Sequence, residues 1–162
     1  QSATPSGGRT HGMAPDYEAR MDAVNFSLAA DDGLQPGRLA QADLVLAGVS
    51  RVGKTPTALY LALQYGLAAA NYPLTPEELA RDRLPGCLIE ILPRLRGLTL
   101  APERLAAIRE VRYPGSRYAS PGQCRTELDA AAALFARHGV PVLDATRMSV
   151  EEIAARLRHG LK

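Results

Sequence analysis

Tryptophan is absent from this chain and phenylalanine occurs only twice, so that aromatic residues make up just 5% of it. Any core it forms must rest on aliphatic side chains and alanine. The two cysteines, Cys87 and Cys124, are far apart and in no metal-ligand spacing. That excludes a disulfide scaffold and a zinc ribbon, and fits two free thiols in a cytoplasmic protein. No apolar run approaches membrane-spanning length, no signal-peptide pattern is present, and there is no internal repeat. Neither charge dominates: 19 basic against 17 acidic side chains leave a formal net charge of +2, which gives no reason to expect nucleic acid or a membrane as partner.

What remains is ordinary globular material, 46% apolar and 22% charged over 162 residues. That length suffices for one α/β domain and is too short for two of usual size. Gln1 to Gly8, rich in Ser, Gly, Pro and Thr and without an initiating Met, reads as a disordered segment or truncation scar. The folded domain is expected over 9–162, with a helical lead-in at 15–33 and a core at 42–162. Within the lead-in, Met21, Val24 and Phe26 to Leu28 give a helical pattern that ends at Asp31-Asp32-Gly33.

The most informative stretch is Gly48 to Thr55, Gly-Val-Ser-Arg-Val-Gly-Lys-Thr, a complete Walker A signature. It is preceded by the apolar run Leu44 to Ala47, suited to a buried strand, and followed by a helical pattern from Thr57 to Gly66. A polyphosphate needs several backbone N–H groups converging on its oxygens, which glycine permits by lacking a Cβ and tolerating unusual φ. Gly48 and Gly53 supply that freedom, with Val49, Ser50, Arg51 and Val52 forming the turn between them. Lys54 brings an ammonium to the phosphates, Thr55 offers a hydroxyl to Mg²⁺, and the helix N-terminus adds its dipole. Pro56 is tolerated because a first-turn N–H has no intrahelical partner.

Downstream, strand and helix patterns alternate. Leu67 to Tyr72 reads as a strand, Thr75 to Glu78 as a capping box opening a short helix, and Gly97 to Leu100 as a strand. Ile89 to Leu95, which contains Pro93, is ambiguous. Pro102 opens a helix with Leu105 and Ile108 on one face, and residues 113–120 break the periodicity. Gly122 to His138 is an alanine-rich helix, Val140 to Leu143 a strand ending in Asp144, and Ser149 to Leu161 an amphipathic helix with a Ser149/Glu152 capping box. The alternation predicts an α/β fold, a P-loop NTPase-like three-layer domain with a mainly parallel sheet flanked by helices. Ligands in such sheets sit beyond the carboxyl ends of the strands, where the loop at Gly48 and Asp144 would both lie.

Several further candidates stand beside competing readings. Arg117 and Tyr118 lie in a loop suited to a lid or substrate contact, although a solvated arginine reads equally well. Asp144 is a candidate metal ligand or a plain exposed strand-end carboxylate. His11, His138 and His159 share no metal spacing, and the latter two read as helix-surface residues.

The segment Ala42 to Thr57, followed by Leu59 to Ala62 and Ala69 to Pro73, resembles the phosphoenolpyruvate synthase regulatory proteins. Arg9 to Gly12, Asp31 to Gly33, Gly97 to Thr99, Pro102 to Leu105, Ser116 to Ser120, Gln123 to Arg125 and Ser149 to Ile153 extend the likeness from residue 9 to about residue 158. A small-molecule kinase would explain the loop but not these other stretches. The resemblance implies a bifunctional cytoplasmic regulator that uses ADP to phosphorylate a threonine of phosphoenolpyruvate synthase. It also implies removal of that phosphate by inorganic phosphate, with release of pyrophosphate. Related proteins act in this way on pyruvate, phosphate dikinase, and the wording of this loop is nearer the synthase branch.

Under that resemblance Gly48 to Thr55 hold the nucleotide or pyrophosphate, Lys54 neutralises the transferred group, and Ser50 and Arg51 reach terminal oxygens. Thr55 and Asp144 are the metal candidates. By motif, Asp31 or Asp32 accepts the threonine proton, the competing reading being a helix-terminating turn. Two departures qualify the likeness. The family has a further domain before this region, so the chain looks like a carboxyl-terminal half or a natural short form, which puts docking of the substrate protein in question. The residue before Asp31, commonly His in the family, is Ala30 here, which leaves open an ADP-binding module that senses or docks without turnover. Paired helices would allow a homodimer.

Overall fold

The computed structural model describes residues 16–30 and 36–159; Gln1 to Gly8, His11, Asp31 and Asp32 lie outside the described residues. Four strands form a wholly parallel sheet in the order β2-β1-β3-β4, with β1 at Leu44–Gly48, β2 at Ala69–Pro73, β3 at Leu95–Thr99 and β4 at Val142–Asp144. Every residue of β1 is buried, as a central strand covered on both faces requires, and this is why Leu44 to Ala47 show no alternation. Gly48 pairs with Pro73 of β2, and Ala47 with Gly97 of β3, so β1 ends level with β2 and one residue short of β3 and delivers the loop after it to the carboxyl edge of the sheet.

Eight α-helices accompany the strands among the described residues: α1 Tyr17–Ala29, α2 Pro36–Gln41, α3 Lys54–Tyr65, α4 Pro76–Ala80, α5 Gly86–Ile89, α6 Pro102–Arg112, α7 Pro121–His138 and α8 Val150–His159. They fall into two groups. α3 packs against α1 and α8, while α7 packs against α6 and α4, giving the expected three-layer α/β arrangement. None is long and apolar enough to cross a membrane.

The boundaries that differ from the sequence pattern do so for local reasons. α3 starts at Lys54, three residues before the periodicity becomes visible, because its first turn is built from Lys54, Thr55 and Pro56. It closes at Gly66, whose φ of 67° lets its N–H reach Ala62 and Leu61 carbonyls, and Leu67 N–H still bonds to Leu61 O at 3.3 Å. β2 therefore begins at Ala69 rather than Leu67. Likewise Gly139 closes α7 with φ 67°, and Val140 N–H is used at Phe135 O, which delays β4 to Val142. The ambiguous stretch around Pro93 resolves into α5 and a 3₁₀ turn at Leu92–Arg94, so that β3 starts at Leu95. The short α2 has no counterpart in the sequence reading, its six residues being too few to show a helical period.

Both capping boxes form: Thr75 with Glu78 at α4, and Ser149 with Glu152 at α8 through N–H bonds of 3.0 and 3.1 Å. The core is aliphatic, centred on Leu44, Leu46, Leu61, Leu95, Leu98 and Leu105, with Phe135 the one fully buried aromatic ring among the described residues. That ring lies over Gly97, where an added Cβ would come within 2.8 Å of it.

A candidate phosphate site behind the central strand

The glycines of the signature have different tasks. A Cβ on Gly48 would sit 2.7 Å from the Leu98 carbonyl oxygen, so Gly48 is needed for the close approach of β1 and β3 rather than for an unusual φ. Positive φ falls instead on Arg51, at 78°, and Gly53, at 104°. Gly53 is the N-cap of α3 and, having no side chain, makes no side-chain cap at the helix start, where the dipole of α3 faces the loop. Val49 and Val52 are buried and fasten the loop to the core, so their contribution toward a ligand is through the backbone.

Lys54 is only 5% exposed, and its Nζ donates to Val49 O at 2.7 Å. The contact spans the loop and holds the ammonium beneath it. Thr55 is exposed in the first turn of α3, and Asn71, buried on β2, donates from Nδ2 to Thr55 Oγ1 at 3.4 Å. The loop opens on a groove of about 720 Å³. The groove is lined by Ser50 to Thr55 and Asn71 together with the apolar side chains of Leu100, Ile108, Met148 and Ile153, and by the exposed Arg104.

The remaining sequence candidates separate. Tyr118 joins the site, because its hydroxyl is hydrogen-bonded with Ser50 Oγ. Arg117, its neighbour, is exposed. Asp144 does not line the groove: its Oδ1 accepts from Thr146 N–H at 3.0 Å and Thr146 Oγ1 at 2.5 Å, bonds that hold its carboxyl below the usual value. His159 is exposed as expected, whereas His138 is half-buried with an unpartnered Nε2, not on the free surface. Ala30, at the C-cap of α1, is 4% exposed and belongs to the core. Both cysteines are free, Cys124 buried and Cys87 half-buried, and burial pushes both thiols up. No group of three or more His, Cys, Asp or Glu among the described residues is placed to hold a metal.

Three residues that the sequence reading passed over belong to the site. Asn71 touches Thr55, and Arg109 and Glu127 form a fully buried ion pair at 2.8 Å behind the loop. A signal existed for Arg109: it follows Leu105 by four residues, on the buried face of α6, where a charge demands a partner.

A wholly parallel sheet with a glycine-capped helix after its central strand, a buried lysine under the loop and an open groove beyond it defines a phosphate-loop α/β protein. The chain belongs to the kinase/pyrophosphorylase family, whose model matches residues 1–157. It is 75% identical over 158 residues to the Thiobacillus denitrificans protein named "Putative phosphoenolpyruvate synthase regulatory protein", covering 98% of this chain and 61% of that relative. Proteins of the same name from Aromatoleum aromaticum and Laribacter hongkongensis are each 52% identical, with 60% and 59% of their lengths covered. The chain thus spans about three-fifths of the relatives it matches.

Proposed function

We propose that this chain carries the phosphoryl-transfer site of a regulator of phosphoenolpyruvate synthase. In one direction the β-phosphate of ADP passes to a threonine hydroxyl of the synthase, leaving AMP. In the other, inorganic phosphate attacks the phosphothreonine phosphorus, restoring the hydroxyl and releasing pyrophosphate. The observation that carries this reading is the cradle at Gly48 to Thr55, with Gly53 at the start of α3 in a positive-φ conformation and Lys54 fixed beneath the loop. Both reactions exchange a phosphoryl group between a threonine and a phosphate, so one cradle serves both, and positioning with charge neutralisation supplies most of the catalysis. The apolar lining of the groove suits the nucleoside, and Arg51 and Arg104, which also line it, would add positive charge toward the phosphates.

Thr55 fits a magnesium ion, since Mg²⁺ takes one protein hydroxyl together with phosphate oxygens and water, and Thr55 is an exposed residue lining the groove. Bound there, the ion would neutralise charge on the phosphates. Asp144 would contribute only if its bonds to Thr146 were given up. Asp31 or Asp32 is proposed to accept the threonine proton, by motif. The name of the relatives supports the synthase as the proposed partner, and the cytoplasm is the proposed location.

Incubating the chain with the synthase and ADP labelled in its β-phosphate, then with the phospho-synthase and inorganic phosphate, tests both directions. Label on threonine and release of pyrophosphate are expected; neither, with ADP still bound, would replace this reading by the second. That second reading, a module that binds ADP without turnover, is favoured by one observation: the residue before Asp31 is a core alanine, Ala30, with no proton to move.

A further inference from the structure

Behind the cradle lies a polar cluster that the phosphoryl-transfer reading does not use. The Arg109 side chain is 0% exposed. Its Nε and Nη2 donate to the Ser50 carbonyl at 3.3 and 3.1 Å, and Nη2 also pairs with Glu127 Oε1 at 2.8 Å. Nη1 donates to Tyr118 O at 2.9 Å, and the Tyr118 ring lies 4.0 Å from the guanidinium carbon. Gln123 Nε2 holds the second Glu127 oxygen at 2.8 Å. Tyr118 then returns to the loop, its hydroxyl bonded with Ser50 Oγ. The two polar ends of one loop residue, carbonyl and hydroxyl, are thus held by one cluster.

Burying a guanidinium costs several kcal/mol before its partners offset it, and an apolar residue at the same place in α6 would pack more cheaply. What the planar fork provides is direction. A carbonyl turned toward a polyphosphate would repel it; with its oxygen tied to Arg109, Ser50 keeps that dipole behind the loop. The phenol is a stronger acid than an aliphatic hydroxyl and is the better donor of the Tyr118–Ser50 pair. With Tyr118 donating, Ser50 Oγ accepts and its own proton is free for an oxygen in the groove.

We propose that Arg109 and Tyr118 are positioning residues for phosphate recognition: Arg109 turns the Ser50 carbonyl away from the groove, and Tyr118 orients the Ser50 hydroxyl as a donor to a phosphate oxygen. The loop at 113–120 thereby sets the phosphate affinity of the cradle. This rests on the phosphate-binding part of the proposed function. It does not depend on turnover.

The test is calorimetric titration of the full chain with inorganic pyrophosphate and Mg²⁺, for the wild type, Tyr118→Phe, Ser50→Ala, the double variant and Arg109→Lys, each with its thermal midpoint. Tyr118→Phe keeps the ring on the guanidinium and removes only the hydroxyl, so binding is expected to weaken about three- to tenfold at an unchanged midpoint. In the Ser50→Ala background the same substitution should change affinity by less than about twofold, since the hydroxyl it orients is gone. Arg109→Lys retains the charge but not the fork, and weaker binding by a folded variant is expected. Equal affinity for Tyr118→Phe and wild type, or the same loss in both backgrounds, overturns the proposal while the phosphate site stands. A wild-type chain that binds no pyrophosphate overturns the phosphate site itself and this proposal with it.

Discussion

Single atoms decide the behaviour of the cradle. Lys54→Met removes the ammonium held at Val49 O, and pyrophosphate binding should fall at least about a hundredfold while the chain stays folded, because a charge-assisted contact to the phosphates is lost. Calorimetry beside a thermal melt reads both quantities, and a variant that bound as well as wild type would remove Lys54 from the site. Gly97→Ala forces a methyl group against the Phe135 ring and should destabilise by about 1–3 kcal/mol in chemical denaturation. Gly48→Ala meets a backbone carbonyl instead, which cannot rotate aside, so its cost should exceed that of Gly97→Ala. Ala30→His tests the proton relay: a gain in turnover over wild type is expected if a base is what this chain lacks, despite the strain of placing an imidazole where only 4% of the residue is exposed.

Elements matter through how they hold one another. α8 packs on α3, the helix that begins at Lys54, and α8 itself is fixed at its start by the reciprocal Ser149–Glu152 bonds. Ser149→Ala should cost about 1 kcal/mol, seen as a lower denaturation midpoint, with no change in thiol exposure of the distant Cys87. At the far edge of the sheet, the Thr146 hydroxyl and N–H bonds lower the Asp144 carboxyl, so their contribution to stability is present above the ordinary carboxylate range and is lost as pH falls through the depressed folded value. In Thr146→Val the Asp144 titration followed by NMR should move up toward the ordinary value. An unchanged titration would mean the hydroxyl does not hold the carboxylate.

Across the whole molecule, ligand binding and folding are linked. Pyrophosphate at about a hundred times its dissociation constant should add about 2.7 kcal/mol to stability, read as a rise in melting temperature that Lys54→Met abolishes. The thiols report the same coupling in another way. Cys124 is buried beside Arg109 at 3.7 Å and Cys87 lies near the Tyr72–Glu78 pair, and burial raises both. Native chain should therefore react slowly with a thiol reagent, Cys124 only on opening of the α6–α7 layer.

The sequence by itself determined the phosphate loop, the alternation of strands and helices, both capping boxes and the membership of the kinase/pyrophosphorylase family, because each of these is written in contiguous residues whose chemistry is local. Helix starts and strand starts were legible to within a few residues, and they missed where a cap consumed the next N–H groups, as at Leu67 and Val140. Only the tertiary structure decided that Gly48 serves strand packing, that Asp144 bonds to Thr146 and does not line the groove, and that Tyr118 reaches Ser50 while Arg117 does not. The reason is distance along the chain: Arg109 meets Ser50 across 59 residues and Glu127 across 18. A pattern of neighbouring residues carries no record of such a meeting; the folded sheet brings it about.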